Sequence, residues 1–212
     1  MNALLSTTYF GPIQWYQKLY RSDKVWIEGC ETFQKQTYRN RCIIAATQGL
    51  QVLTVPVERT SSSLNTSPST IKDLRISDHG NWRHLHWNAF QSAYGDSPFF
   101  MYYEDEIRPF FERRWTFLFD FNEAIREKFC ELLDIQPRVS YTDSYLPSII
   151  SEGLAKDISD FREAINPKHP APDPDFIPNR YYQVYEAKHG FLPNLSIVDL
   201  LFNMGPESIF WL

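Results

Sequence analysis

Glycine, cysteine and long apolar runs are all scarce in this sequence, and each scarcity excludes something. The chain has 8 Gly, and none falls into G-x-x-x-x-G-K-[ST], G-x-G-x-x-G or G-x-S-x-G. A phosphate-cradling glycine loop and a nucleophile elbow are therefore excluded. The zinc-protease pattern H-E-x-x-H is absent as well. An anion must be held by side chains or by amides at a helix N-terminus. Cys30, Cys42 and Cys130 are odd in number and form no C-x-x-C pair, which argues against a disulfide framework. Cys42 and Cys130 lie in apolar runs and read as core thiols. A reducing, cytoplasmic compartment is expected. No apolar run approaches the ~20 residues of a membrane span. Met1 to Leu5 lacks the basic and apolar regions of a secretory signal. Basic clusters are missing too: 21 Lys and Arg against 26 Asp and Glu give a net charge of −5, with no footprint for nucleic acid.

Aromatic residues are abundant, with 16 Phe, 12 Tyr and 6 Trp. They point either to a bulky core or to an aromatic-lined cleft. The 212 residues suit a single domain. Ala3 to Phe10 reads as a strand stopped by Gly11-Pro12, and Ile13, Tyr16, Leu19 and Tyr20 mark a helix. Lys24 to Glu28 reads as a second strand, completing a β-α-β unit. Arg41 to Ala46 and Leu50 to Val57 flank Thr47-Gln48-Gly49 as a hairpin. Residues 59–70 are rich in Ser, Thr, Asn and Pro and read as a flexible surface loop. Ile71, Leu74 and Ile76 suggest a strand. Helices are expected from Trp82 to Gly95, from Asp105 to Leu118 and from Phe121 to Leu133, with a last short strand over Arg138 to Tyr141. Ser151 to Ile165 is amphipathic at helical spacing. Residues 166–178 hold five prolines and read as an extended crossing or a locally disordered segment. A final helix over Leu195 to Asn203 opens on Ser196-x-x-Asp199, a capping box in form. The expected fold is α/β: a mixed sheet in the N-terminal half, including the hairpin, flanked by helices from the C-terminal half.

Four segments are candidates for chemistry. Thr8 and Tyr9, at the first strand-to-helix junction, have hydroxyls and amides able to hold a polar ligand, or they simply start the helix. Glu31 to Arg41 follows a strand, where α/β sheets bind ligands. In it, Lys35, Arg39 and Arg41 suit an anionic carboxylate or phosphate, with Gln34 and Asn40 to orient it; the plainer reading is a solvated loop. His79, His84 and His86 invite a metal, but His84 and His86 point about 200° apart on a helix, so no metal site is expected. His86 alone suits a general acid or base, or a packed histidine. Glu104-Asp105-Glu106 reads as the acidic first turn of a helix, or as a carboxylate base or amine-binding patch. No cofactor is indicated.

The segment Tyr9-Phe10-Gly11-Pro12-Ile13-x-x-Tyr16 resembles the opening of the WbqC-like family. So do Phe33-x-Lys35-x-Thr37-Tyr38-Arg39-Asn40-Arg41, Leu53-Thr54-Val55-Pro56-Val57, and Trp82 with His86 and Tyr94. Phe191-Leu192-Pro193-x-Leu195-Ser196-Ile197-x-Asp199-Leu200-Leu201-Phe202-Asn203-x-Gly205 resembles its C-terminal signature. The resemblance implies a role in bacterial surface-polysaccharide biosynthesis and a transferase acting on a sugar nucleotide or amino sugar, with acyl or aminoacyl transfer as the expected reaction. Longer members carry a Tyr-x-Ser-Gly segment before the C-terminal signature; here the Pro-rich stretch stands in its place, as in a short form. The site expected is a pocket between Thr8, Tyr9, Gln34, Lys35, Arg39, Asn40, Arg41 and Trp82, with His86 as base and a nucleotide sugar as the anionic ligand. Two other roles stay open: a non-catalytic ligand-binding or protein-interaction module, and a homo-oligomer built through exposed aromatics.

Overall fold

In a computed structural model, described over residues 1–58, 70–147 and 157–212, β1 (Asn2–Ser6), α1 (Ile13–Arg21) and β2 (Lys24–Glu28) form the expected β-α-β unit. The strands pair in parallel, Asn2 opposite Lys24 through Ser6 opposite Glu28. β1 ends earlier than the apolar run suggests, because Phe10 takes a left-handed φ of 41° and turns the chain. The hairpin follows, β3 (Arg41–Ala46) against β4 (Gly49–Thr54). Gly49 supplies the positive φ of 106° just after the turn, a conformation that costs glycine little.

The α/β architecture holds, and the hairpin forms its own sheet beside a purely parallel one. That parallel sheet has the order β5-β2-β1-β6. β5 is Val139–Tyr141 and β6 is Ile158–Asp160. β6 falls where the apolar spacing of 151–165 suggested a helix. Ile158 to Asp160 instead pair with Asn2 to Leu4, since the open edge of β1 satisfies backbone groups that three residues of helix would leave orphaned. Residues 151–156 lie outside the described set, as does all of the 59–70 loop except Thr70.

Residues 71–76 form no strand. Thr70 Oγ1 donates to Asp73 at 2.8 Å, favouring a turn, and Arg75 and Ile76 make only single bridges to Phe117 and Val57. α2 (Trp82–Tyr94) ends at Gly95, as read from the sequence. The next expected helix is broken in two. α3 spans Phe100–Ile107 and α4 spans Pro109–Glu112, after which Arg113 is extended. Pro109 lacks the amide needed to continue α3. Glu104 to Glu106 therefore sit at the end of a helix, not in a first turn. α5 (Leu118–Leu132) packs the stripe Ile125, Phe129 inward.

Residues 166–178 carry no helix or strand. They cross α1 and are pinned by Asp173, whose carboxylate accepts from buried Lys18 at 2.9 Å and Gln14 at 2.8 Å. α6 (Glu186–His189) is a single turn, and α7 (Ile197–Met204) closes the core. Ser196 caps α7 through its side chain, while its own amide donates to Ile43. The capping box is thus half-formed. Asp199 does not turn back to Ser196; its carboxylate accepts from Tyr94 at 2.9 Å and Tyr181 at 2.7 Å. Among the described residues, no helix is long and apolar enough to cross a membrane. All three cysteines are free, Cys42 and Cys130 being buried.

Asp199 couples this packing to pH. Burial raises its pKa to about 6, against the pull of the two tyrosine hydroxyls. The folded state holds the proton more tightly than the unfolded chain. The group's stabilisation is therefore complete below pH ~4 and is lost as pH rises through about 6, a loss on the order of 3 kcal/mol. Asp199→Asn removes the titration. In urea denaturation from about pH 4 to about pH 7, its stability relative to wild type should improve with pH by roughly that amount; a constant difference would contradict the assignment.

Candidate functional site

The chain moves along the sheet from β1 to β2 to β5, then returns to the far side of β1 as β6. The connections diverge at β1 and β6. In open parallel sheets, ligands bind beyond the carboxyl ends of the strands at such a point. Here those ends supply Ser6, Thr7 and Thr8 from β1, and Phe161 and Arg162 from β6. Together with Trp15, Tyr38 and Arg39 they line a crevice. It is closed down to about 10 Å³, room for roughly one water. Gly11 lets the junction fold this tightly: a Cβ there would lie 2.3 Å from Thr8 Oγ1.

Around the crevice, buried charges are gathered in pairs. Arg39 makes a fork to Glu31, Nε to Oε1 at 2.7 Å and Nη2 to Oε2 at 2.6 Å, and Nη2 also donates to Ser6 Oγ at 2.7 Å. Arg162 makes the same fork to Asp160, at 2.9 and 2.6 Å, with Nη1 3.4 Å from Glu28. Glu28 is fully buried. It accepts from Thr142 Oγ1 at 2.6 Å and from the amides of Cys30 and Leu146. Farther along, Glu123 accepts from Arg126 at 2.7 Å and Tyr141 at 3.0 Å, while Thr7 Oγ1 approaches its other oxygen at 3.4 Å. Burial raises the Glu123 pKa, opposed by Arg126. Ion pairs out of water add little net stability, and their concentration at one end of the sheet makes that end the candidate site.

Of the residues singled out by sequence, the structure brings Thr8 and Arg39 together in this crevice. Tyr9, Trp82 and His86 do not line it; Tyr9 and Trp82 belong to the aromatic core, and the His86 ring packs against both. His86 Nδ1 lies 2.8 Å from Tyr9 Oη. Burial lowers its pKa to about 4, against a hydrogen bond with the Thr54 backbone, so the ring is neutral at pH 7 and enclosed. Gln34 and Lys35 are exposed. Asn40 donates to the Val55 carbonyl, and Arg41 begins β3 with its Nε buried and unpaired among the described residues. These two hold the hairpin rather than face the crevice. Among the described residues, no group of three or more His, Cys, Asp or Glu is placed to hold a metal ion.

Sequence reasoning did not single out Glu28, Glu123, Asp160 or Arg162. Glu28 had a signal: a charge ending an apolar strand at the sheet's carboxyl end. Asp160-Phe161-Arg162 had one too, opposite charges two apart on a strand exit, but it was hidden by the helical spacing.

Comparison with known proteins gives a consistent frame. The family model described as "WbqC-like protein family" matches residues 7–164, which includes both forks and Glu123. The chain is similar to a protein of Mycobacterium tuberculosis (strain ATCC 25618 / H37Rv) named "Uncharacterized protein Rv1507c", 24% identical over 196 residues, 83% of this chain and 81% of that protein. No solved structure matches the chain.

The Arg39–Glu31 fork can be separated from any ligand role. Arg39→Met strands a buried carboxylate and should cost about 3–5 kcal/mol, whereas Arg39→Met with Glu31→Leu should recover most of it. Equal losses in the single and double variants, by chemical denaturation, would mean the pair is not sealed from water.

Proposed function

The chain belongs to the WbqC-like protein family, and from that premise we propose that it is a transferase. Its substrate is an anionic small molecule, a nucleotide-activated sugar or amino sugar, its anionic group held at the crevice beyond β1 and β6 once the crevice, which now has room for about one water, opens to admit it. One observation carries this reading: the pairing of hydroxyls and forked arginines at the carboxyl ends of a parallel sheet, where its connections diverge. Thr7, Thr8 and the amides of the junction would meet the anion, as helix-entry loops do. The guanidinium planes of Arg39 and Arg162 are already oriented, and binding would exchange part of their carboxylate bonding for phosphate.

In acyl or aminoacyl transfer, an acceptor amine attacks the acyl carbonyl, loses a proton, and the donor's leaving group departs. Glu123 suits the base role better than His86. Burial raises its pKa, the direction a general base needs, and among the described residues its Oε1 has only the long contact from Thr7. His86 is enclosed by Tyr9 and Trp82. The expected compartment is the cytoplasm, where free thiols persist. Surface-polysaccharide biosynthesis is the setting.

A second reading has its own support. Both arginine forks at the crevice are already satisfied by carboxylates, which leaves neither guanidinium free for charge that develops in a reaction and suits a module that binds without turnover.

The test is a thermal-shift screen against nucleotide sugars, nucleotides and acyl donors. Ligand at 100 times its dissociation constant adds about 2.7 kcal/mol. Thr8→Val, which removes one hydroxyl, should weaken the hit by roughly tenfold, about 1.4 kcal/mol. Consumption of the hit together with an acyl donor supports the transferase; stoichiometric binding without consumption supports the module. No shift across the panel, or a hit indifferent to Thr8→Val, removes the crevice as the site.

A further inference from the structure

The acidic segment Glu104-Asp105-Glu106 takes no part in the site above, and its position in the fold removes the plain reason for it. Carboxylates stabilise the first turn of a helix, where the macrodipole is positive. These three occupy the last half of α3, at the negative end. Asp105 and Glu106 face a cavity of about 430 Å³ shared with α5, which contributes Glu127 and Glu131. Glu131 also lies in the last turn of its helix, and neither α3 nor α5 has a basic residue in its last turn. Two helix carboxyl ends and four carboxylates therefore direct negative potential into one space. Such an arrangement lowers stability unless a cation offsets it.

The protein's own cations do so only in part. Lys128 is shared between Glu106 at 3.0 Å and Glu131 at 2.9 Å. Glu127 takes one bond from Arg126, at 3.1 Å. Arg113 lies at the rim and is exposed. Asp105 has no ion-pair partner among the described residues. Four carboxylates against two lining cations leave the cavity negative.

Its floor is aromatic. Phe110 and Trp115 are stacked, centroids 6.2 Å apart at 19°, and Trp115 also packs on Phe121 at 5.2 Å. Trp115 Nε1 is buried and meets no acceptor among the described residues. Aromatic faces attract cations within about 6 Å of the ring centroid, and the volume falls within the ~300–1,000 Å³ of small-molecule pockets. We propose that this cavity is a second binding site, selective for a small organic cation with a flat apolar body, of the amidinium or primary ammonium type. The flat body lies on Trp115 and Phe110, and the charge faces Asp105 and Glu127. The site stands independently of the transferase reading.

The test uses the full chain labelled with ¹⁵N, with the Trp115 indole resonance identified by its loss in Trp115→Phe. Benzamidine is the probe, with benzyl alcohol as a neutral analogue and benzoate as an anionic one. A saturable shift of the Trp115 indole is expected with benzamidine, with affinity falling as salt rises and roughly tenfold weaker for benzyl alcohol. Asp105→Asn, an exposed substitution that leaves the core untouched, should weaken benzamidine severalfold. No saturable shift, equal affinity for benzyl alcohol, or indifference to Asp105→Asn would each overturn the proposal.

Discussion

Phe10 takes a backbone conformation that a bulky residue rarely adopts, at φ 41°, and its ring explains why the chain accepts it. The ring is fully buried against Phe90, Phe110, Phe111 and Phe129, at centroid distances from 5.3 to 6.3 Å. Burying a phenyl ring stabilises by about 1.5–3 kcal/mol, similar to the ~1–3 kcal/mol of a strained backbone residue. The turn so fixed sends Tyr9 into the core and leaves Thr7 and Thr8 at the sheet end. It also ties three distant parts of the chain together. Tyr9 donates its amide to Tyr38, Phe10 accepts from Ser196 Oγ, and Gly11 accepts from Ile197. The β-α-β unit, the loop before the hairpin and the last helix all meet at this one junction.

From that junction the molecule divides into two kinds of interior. On one side, rings pack edge to face and need no charge. On the other, beyond the strand ends, Arg39, Glu31, Arg162 and Glu28 are buried in paired contacts and Asp160 is partly buried beside them. The division follows from the direction of the sheet. Parallel strands all deliver their exits to the same end, so the polar residues after each strand converge there without being near in sequence. The aromatic side gives the rigidity that such a cluster requires, since forked pairs hold only where both planes are fixed.

The sequence carried local order well and convergence poorly. The β-α-β unit, the hairpin, the Gly95 stop and the apolar stripe of α5 follow from periodicity and punctuation. β6 did not. Ile158 to Asp160 is too short to show a strand pattern, and only the vacant edge of β1 makes it one. Thr8 and Arg39 line the crevice, and both stood out in the sequence because one follows a legible strand and the other precedes a legible hairpin. His86 drew attention by its ordinary pKa, which burial then lowers. Glu123 and Arg162 were missed because their meaning depends on β6 and on which face of α5 meets the sheet. Asp199 looked like half of a capping box; two tyrosines, one from α2 and one after the Pro-rich crossing, claim its carboxylate instead.

α5 places the two proposed sites on adjoining faces. Glu123 and Arg126 turn toward the sheet end, while Glu127 and Glu131 line the acidic cavity. Arg126 belongs to both, giving Nε to Glu123 and Nη2 to Glu127. A cation that neutralises Glu127 frees the guanidinium to lean on Glu123, favouring its ionised form. By linkage, ionisation of Glu123 must change cation affinity by the same factor. Arg126 is thus a side chain shared by the cavity and the base proposed for the crevice, beside the direct repulsion between Glu127 and Glu123. Its replacement would disturb both sites at once, whereas Asp105, on the far wall, reports on the cavity alone.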